Sequence, residues 1–163
     1  MATENVPTGA VVVPPGGGEA LQGPAGGPLQ IKVRGEHTAG TLTVVENVIA
    51  PGEGPPLHTH AGEDESWYVL EGILEFRLGD DISEAPAGSF VFVPRGLPHC
   101  FRNIDSSPAR ILVMFTPSGM EGFFEWFAAL PADQPITPAS FQEAGEPFGM
   151  TVLGPPLAVT HPR

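Results

Sequence analysis

The sequence predicts an all-β barrel or sandwich, and three observations carry this prediction. Between Leu29 and Pro117 the chain consists of apolar runs of four to eight residues, rich in Val, Ile, Phe and Thr. The 21 glycines and 20 prolines separate these runs without forming repeats, which is typical of a chain with many tight turns. The length of 163 residues, 41% of them hydrophobic, suffices for one buried core.

The predicted elements divide the chain into three segments. Residues 1–28 are rich in Gly, Pro and Ala, and we expect an arm that is ordered only where it packs on the barrel or on a second subunit. Residues 29–117 are predicted to form the β-barrel, and residues 118–163 a helical C-terminal extension that packs on it. The candidate strands are Leu29–Arg34, Gly40–Ile49, Ser66–Leu70, Ile73–Leu78, Phe90–Val93, His99–Asn103 and Ala109–Thr116.

The extension is predicted to contain two short helices. Ser118 is expected to cap a helix that ends near Leu130, because the apolar residues between them fall on one broad face. Thr137 followed by Pro138 opens a second helix, which should end by Gly145. The first helix is interpreted as cover for the barrel core, and a lid over a pocket is the alternative.

Charge and composition exclude several classes of partner. Seven basic residues stand against 19 acidic ones, and a formal net charge of −12 repels nucleic acid and anionic lipid alike. Cys100 is the sole cysteine, so no disulfide can form within the chain. The first 15 residues lack the features of a signal peptide, and no apolar run reaches membrane-spanning length. We therefore expect a cytoplasmic protein without nucleic-acid or membrane partners.

Three of the five histidines and one glutamate have the spacing of a metal site. His58 and His60 are one residue apart, so on a strand both side chains point to the same face. Glu65 follows a short polar turn, and His99 lies on a later candidate strand. Three imidazoles and one carboxylate suit one divalent first-row ion, which could be Mn, Fe, Co, Ni, Cu or Zn.

The same residues resemble the two signature motifs of the cupin superfamily. The first motif is matched by Gly52-x5-His58-x-His60-x4-Glu65-x6-Gly72 and the second by Gly88-x5-Pro94-x-Gly96-x2-His99-x3-Asn103. This resemblance implies a double-stranded β-helix, a jelly-roll barrel, with the metal inside. The stretch from Pro94 to His99 and the closing Leu153–Leu157 are similar to single-domain bacterial cupins of the quercetinase-like kind.

Glu65 is preferred over its acidic neighbours as the carboxylate ligand. Asp64 would point to the opposite face of the strand, and counting seven residues back from Gly72 also selects Glu65. Glu63 has the same parity as Glu65 but lies on the turn, where alternation is less reliable, and it stays an alternative.

Strand alternation also predicts the wall of a pocket beside the metal. With Glu65 and His99 pointing inward, the substrate-pocket residues should be Trp67, Val69, Phe101 and Asn103. Cys100 and Arg102 should turn away, which makes Cys100 a small buried hydrophobe and not a ligand. Either Phe90 and Phe92 or Val91 and Val93 face inward, and the sequence does not decide between the two pairs. Such a cup suits a small hydrophobic or aromatic ligand.

These features favour an enzyme whose substrate binds the metal directly. The leading hypothesis, motivated by the quercetinase resemblance, is a dioxygenase in which O2 attacks an enol or flavonol-like substrate. Glu65 is predicted to act both as a ligand and as the base that takes up the substrate proton. A non-oxidative isomerase, lyase or cyclase is the second hypothesis, and a binding or sensing protein without turnover is the third. We also expect a homodimer, with the N-terminal arm as the element that crosses over.

Overall fold

The computed structural model describes residues 9–163, and residues 1–8 of the predicted arm lie outside the described residues. The strands are β1 (Glu19–Gln22), β2 (Pro28–Val33), β3 (Thr43–Ile49), β4 (Pro56–His60), β5 (Asp64–Glu71), β6 (Ile73–Leu78), β7 (Asp81–Pro86), β8 (Phe90–Val93), β9 (His99–Asn103), β10 (Ala109–Thr116) and β11 (Met150–Pro156). The α-helices are α1 (Glu121–Ala128), α2 (Pro138–Gly145) and α3 (Leu157–Thr160).

The strands form two antiparallel sheets that enclose one core. The first sheet has the order β1-β2-β3-β10-β5-β8, and the second has the order β11-β4-β9-β6-β7. Several neighbours, such as β3 with β10 and β4 with β9, are distant in sequence, so the chain crosses repeatedly between the sheets. This is the two-sheet jelly-roll arrangement that the sequence predicts.

All seven predicted strands are present, with ends that differ by at most three residues. Four further strands, β1, β4, β7 and β11, were not predicted. β1 lies within the predicted arm and pairs with β2 of the same chain through contacts such as Glu19 with Ile31. Residues 19–22 therefore extend the first sheet of their own barrel.

The core follows the alternation expected for strands with one buried face. In β3 the side chains of Val45, Asn47 and Ile49 point inward, and the residues between them are partly exposed. In β8 the sequence left the inward pair open, and Val93 is buried while Phe90 and Phe92 are 61% and 56% exposed. The valines of β8 therefore face the core, and its phenylalanines face outward.

The two predicted helices close one end of the barrel. Thr137 caps α2, with its hydroxyl oxygen accepting a hydrogen bond from the Ser140 N–H. The prediction that Ser118 caps the first helix was wrong, because α1 begins only at Glu121. The Glu121 carboxylate instead accepts bonds from the Gly35 and Gly119 N–H groups and from the Thr43 hydroxyl. Among residues 9–163, no helix has the length and apolar character needed to cross a bilayer.

Each of the seven basic side chains contacts a carboxylate. The N···O distances range from 2.5 Å for Arg34 with Glu125 to 3.7 Å for Arg77 with Asp80. The other pairs are Lys32–Glu46, Arg95–Asp64, Arg102–Glu75, Arg110–Glu46 and Arg163–Glu75. The positive charge of the chain is thus locally neutralised.

Candidate metal centre

Three strands bring the predicted ligands together inside the barrel. His58 and His60 are the inward residues of β4, and the backbone of His58 lies opposite that of His99 on β9. Glu65 points inward from β5, which belongs to the opposing sheet. Three imidazoles from one sheet therefore face one carboxylate from the other.

The four side chains form one compact, buried cluster. One ligand atom from each of them lies within 4.8 Å of the others. Glu65 Oε2 is 2.9 Å from His99 Nε2 and 3.0 Å from His60 Nε2. All four residues are at most 5% exposed. Glu65, and not its alternative Glu63, belongs to this cluster.

Backbone carbonyls fix two of the imidazole rings. The Nδ1 atoms of His58 and His99 lie 2.7 Å and 2.8 Å from the carbonyl oxygens of Pro56 and Leu97. A protonated Nδ1 that donates to a carbonyl leaves Nε2 as the lone-pair atom, which is the tautomer a metal ligand requires. Neither ring nitrogen of His60 has an aligned hydrogen-bond partner within residues 9–163.

Burial and mutual contacts set the charges of the cluster. Burial, together with the smaller effects of the charges of His99 and His60, lowers the pKa of His58 to about 3. Burial acts to raise the pKa of Glu65, but its contacts with His60 and His99 outweigh burial and lower this pKa to about 2. Burial acts to lower the pKa of His99, but the contact with Glu65 raises it above the ordinary 6.5. At neutral pH His58 is a neutral donor and Glu65 an anionic one.

A divalent transition-metal ion fits this donor set. Ligands that share one ion with bonds of about 2.0–2.3 Å must lie within a few ångströms of each other, as these four do. The ring of His60 fits the same interpretation, because it lies beside Glu65 but neither of its nitrogens makes an aligned hydrogen bond. The cluster could therefore bind one divalent ion, and its three nitrogens and one oxygen do not identify the metal.

The cluster opens onto an apolar cavity of about 50 Å³. Its wall is formed by the turn between β1 and β2, by both sheets and by the helices α1 and α2. The lining residues besides the ligands are Pro24, Ala25, Asn47, Pro55, Trp67, Phe101, Val113, Phe115, Met120, Phe123, Phe124, Phe141 and Met150. The aromatic residues of α1 and α2 thus contribute to the cavity wall as well as to the core.

Two of the four predicted pocket residues line this cavity. Trp67 and Phe101 do so, whereas Val69 and Asn103 are displaced from it. Val69 is fully buried in the hydrophobic core. Asn103 stands at the end of β9, and its amide donates to the carbonyls of Ile49 and Ser107. Alternation identified the correct face of each strand but not the position along the barrel.

The outward residues of β9 are buried as well. Cys100 is 1% exposed, and burial raises the pKa of its thiol to about 11, so it is an inert hydrophobe as expected. Arg102, which was expected to turn away, is only 6% exposed, because it forms a buried ion pair with Glu75 at 2.7 Å. His37 and His161 lie outside the ligand cluster.

Sequence reasoning missed the polar residue Asn47 in the cavity wall. It stands between Val45 and Ile49 on β3, and the alternation of that strand already placed it inward. A polar residue at an inward position of an apolar strand was therefore the available signal. The cavity residues of the helices had no comparable signal, because their positions depend on how α1 and α2 pack on the barrel.

Residues 45–115 match the family model of the cupin domain. This part of the chain is similar to a cupin domain. All four candidate metal ligands lie within the matched residues. The cupin resemblance seen in the two sequence motifs is thus supported by the domain match and by the two-sheet fold.

Known proteins similar to this chain include two proteins of polyketide synthesis. The tetracenomycin polyketide synthase protein TcmJ of Streptomyces glaucescens is 32% identical over 80 residues, which cover 49% of this chain and 52% of TcmJ. The polyketide synthase CurC of Streptomyces cyaneus is 31% identical over 70 residues, or 43% of this chain and 46% of CurC. The chain spans about half the length of these curated relatives.

A solved structure shares the fold. The crystal structure described as a predicted oxalate decarboxylase from Thermotoga maritima superposes with a TM-score of 0.53 at 22% identity. The match covers 55% of this chain and 79% of that chain. At this identity the likeness is one of fold.

Proposed function

We propose that this protein is a metal-dependent cupin enzyme, a dioxygenase that acts on a small enol or phenol bound in the cavity. One observation carries the proposal: four buried ligand side chains open onto a cavity whose remaining wall is almost entirely apolar. A site with only a structural role would be closed by its ligands, whereas this one borders an apolar space beside the ligands.

The residues of the chain have separable roles in this proposal. A divalent ion in the cluster supplies Lewis acidity that favours the anionic form of the substrate oxygen. Glu65 is the carboxylate within reach of the substrate hydroxyl, and it takes up the proton. Its low pKa depends on contacts with His60 and His99, so Glu65 becomes a stronger base as these contacts are given up.

The apolar wall supports an oxidative reaction. Phe115 and Phe124 lie on the cavity side of the barrel end and, with Met120, keep water from the ligand cluster. O2 is apolar and enters such a space without losing favourable solvation, while an enolate formed there is protected from reprotonation by water. Both atoms of O2 then enter the product, and no external reductant is required.

The second candidate is a non-oxidative isomerase, lyase or cyclase. The polyketide synthase names of TcmJ and CurC favour it, because poly-ketone chains enolise readily and close rings without O2. The same names support an enolic or phenolic aromatic as the substrate class in either case. The ligand cluster and the cavity suit both reactions equally, so an experiment must distinguish the oxidative reaction from the non-oxidative one.

Oxygen uptake with defined metal content separates the candidates. Protein loaded in turn with Mn, Fe, Co, Ni, Cu and Zn is mixed with flavonols and hydroxylated aryl ketones in an oxygen electrode. We expect O2 consumption with one of these metals, incorporation of both 18O atoms into product, and no reaction of the His58→Ala variant. Product formation without O2 would establish the second candidate, and the absence of any turnover would leave a binding protein.

Replacing Glu65 by Gln tests the proton transfer. The variant keeps an oxygen ligand of similar shape that cannot take up a proton at neutral pH. If Glu65 is the base, turnover per bound metal should fall by about a hundredfold, and the loss should shrink at higher pH, where the substrate ionises unaided. Equal turnover per bound metal at low and high pH would make Glu65 a ligand alone.

A further inference from the structure

The cavity beside the ligand cluster is smaller than the substrate ring that the proposed function requires. Its volume is about 50 Å³, whereas a cavity of about 150 Å³ suffices to hold benzene. The space as it stands admits O2 or a few water molecules. An aromatic or enolic ring therefore enters only if a side chain of the cavity wall moves.

A wider hollow lies directly behind one part of this wall. It measures about 180 Å³ and lies between the β1–β2 turn, the C-terminal end of α1 and the connection from α1 to α2. We call it the outer hollow, and its lining residues include Gln22, Gly23, Phe127, Leu130, Pro131 and Ile136. Gly23 lines the outer hollow and the next residue, Pro24, lines the cavity. One layer of residues therefore separates the two spaces.

Phe127 is the large side chain of this layer. It is 5% exposed and borders the outer hollow. Its ring centroid lies 5.2 Å from that of Phe123 and 4.9 Å from that of Phe141, and both of these residues line the cavity. Displacement of the Phe127 ring would join the two spaces into one that approaches the volume of small-molecule sites, about 300–1,000 Å³.

The position of Phe127 on its helix favours such a displacement. It stands one residue before the end of α1, and residues 131–139 of the following connection are all exposed. Segments with few buried contacts open at a lower free-energy cost than the strands of a sheet. The α1 end of the wall is therefore the part that moves most readily.

A different route would lead past the opposite side of Trp67. A hollow of about 350 Å³ lies along β7 and β8, and Phe76, which lines it, has its ring centroid 5.2 Å from that of Trp67. Phe76, however, stands on β6, which is paired with β7 and β9 on its two sides. The lining of this hollow also includes Glu84, whereas none of the nine residues that line the outer hollow is charged. Phe76 is therefore the matched comparison for Phe127.

We propose that the outer hollow is the entrance to the candidate metal centre and that Phe127 is its gate. A neutral molecule with one ring occupies the outer hollow and displaces the Phe127 side chain, and its oxygen then reaches the ligand cluster. The uncharged lining favours a neutral molecule over an anion, because no cation there compensates a carboxylate or phenolate that leaves water. The ring and its oxygen rest on the proposed function, whereas the place of the entrance rests on the geometry of the two spaces.

Quenching of Trp67 fluorescence measures access to the cavity without metal, substrate or turnover. Trp67 lines the cavity and Trp126 is the only other tryptophan, so all proteins compared carry Trp126→Phe. The quencher is acrylamide, a small neutral molecule. We expect weak quenching in this background, a quenching constant about fivefold larger for Phe127→Ala, and a smaller increase for Phe127→Leu, because each removes part of the gate. The matched Phe76→Leu variant should leave the constant unchanged, and the anion iodide should gain less than acrylamide from the Phe127 variants.

Urea titration identifies the conditions in which each variant is folded, and Phe127→Leu carries the comparison if Phe127→Ala does not fold. Equal constants for Phe127→Leu and Phe76→Leu would overturn the entrance, and so would the absence of an increase in the Phe127 variants. An equal gain with iodide would overturn the preference for neutral molecules. The expected quenching in a protein without turnover would refute the enzyme assignment alone. Turnover in a protein whose Phe127 variants behave like the background would refute the entrance alone.

Discussion

At the scale of single residues, the imidazole of His60 is marked as a candidate metal ligand by its lack of an aligned hydrogen bond. It is 3% exposed, stands within 3.0 Å of Glu65, and has no aligned hydrogen bond in the described chain. His58 and His99, in contrast, are oriented by backbone carbonyls. The three rings therefore converge for different physical reasons, and loss of any one of them should affect the metal centre.

Substitution of single ligands tests the assignment of the cluster. His58→Ala, His60→Ala and His99→Ala should each abolish stoichiometric metal binding, because a site that loses one of four bonds is distorted and rarely recovers. The matched controls His37→Ala and His161→Ala alter histidines outside the cluster and should retain the metal. Elemental analysis of the purified variants measures this. A His58→Ala protein with full metal content and unchanged affinity would show that the site lies elsewhere.

The raised pKa of His99 predicts that metal affinity depends on pH. Below that pKa the ring is protonated, and an ion must displace the proton in order to bind. Apparent affinity should therefore be constant at high pH and fall by up to about tenfold per pH unit once the pH drops below this pKa. The low pKa values of His58 and Glu65 mean that neither holds a competing proton near neutrality. Competition titrations from about pH 8 to pH 5.5 measure the slope, and a flat profile would contradict the account.

At the scale of elements, the sequence predicted those strands that have a hydrophobic pattern of their own. Strands with alternating or continuous apolar residues, such as Phe90–Val93 and Ala109–Thr116, were placed correctly. Asp81–Pro86 was missed because five of its six residues are exposed, so it has no apolar pattern and is a strand through pairing with β6. Met150–Pro156 contains one glycine and two prolines and pairs with β4 despite them.

The candidate site was predictable where strand parity and motif spacing coincide. His58, His60, Glu65 and His99 satisfy both, and the structure brings them together. Val69 and Asn103 satisfy parity alone, which gives the face of a strand but not the depth in the barrel. Phe123 and Phe141 line the cavity because of how the helices pack on the barrel, and no local sequence pattern predicts that packing.

Gly54 tests how closely the β3–β4 connection must approach β9. A Cβ atom at this position would overlap the backbone carbonyl oxygen of Phe101, which cannot move without disturbing the sheet. Gly54→Ala should therefore lower the free energy of unfolding by about 2 kcal/mol or more. Gly62→Ala is the matched control, since a Cβ there meets nothing within 4 Å and the residue has no positive φ. Denaturant unfolding of both variants measures the difference, and equal stabilities would contradict the predicted clash.

At the scale of the whole molecule, the exposed edge of the first sheet is the notable apolar surface. Tyr68, Phe90 and Phe92 are 40%, 61% and 56% exposed, and they lie together because β5 pairs with β8 in this register. Together they leave a row of aromatic groups beside an edge strand, which is a surface that another chain commonly covers. The homodimer predicted from the sequence stays a prediction, and this edge is a second place where two copies could meet.

Charge substitution on β8 tests that interface. Phe90→Glu combined with Phe92→Glu should convert a dimer into a monomer, because two carboxylates cannot be buried between copies of an acidic protein. Val159→Glu, at a residue that is 67% exposed and far along the chain from β8, is the control and should leave the mass unchanged. Light scattering at micromolar concentration measures both. A wild-type monomer would refute the dimer, and a variant that remains dimeric would place the interface elsewhere.

The pairing of every basic side chain with a carboxylate affects how ions and substrates approach the candidate metal centre. With seven cations neutralised locally and a formal net charge of −12, the long-range field around the molecule is negative on all sides. That field accelerates the diffusional encounter of divalent ions and slows that of anions, and added salt weakens both effects. An acidic substrate would therefore approach most readily in its neutral form. Under the proposed function, it would reach the barrel with its proton still attached and give the proton up only beside Glu65.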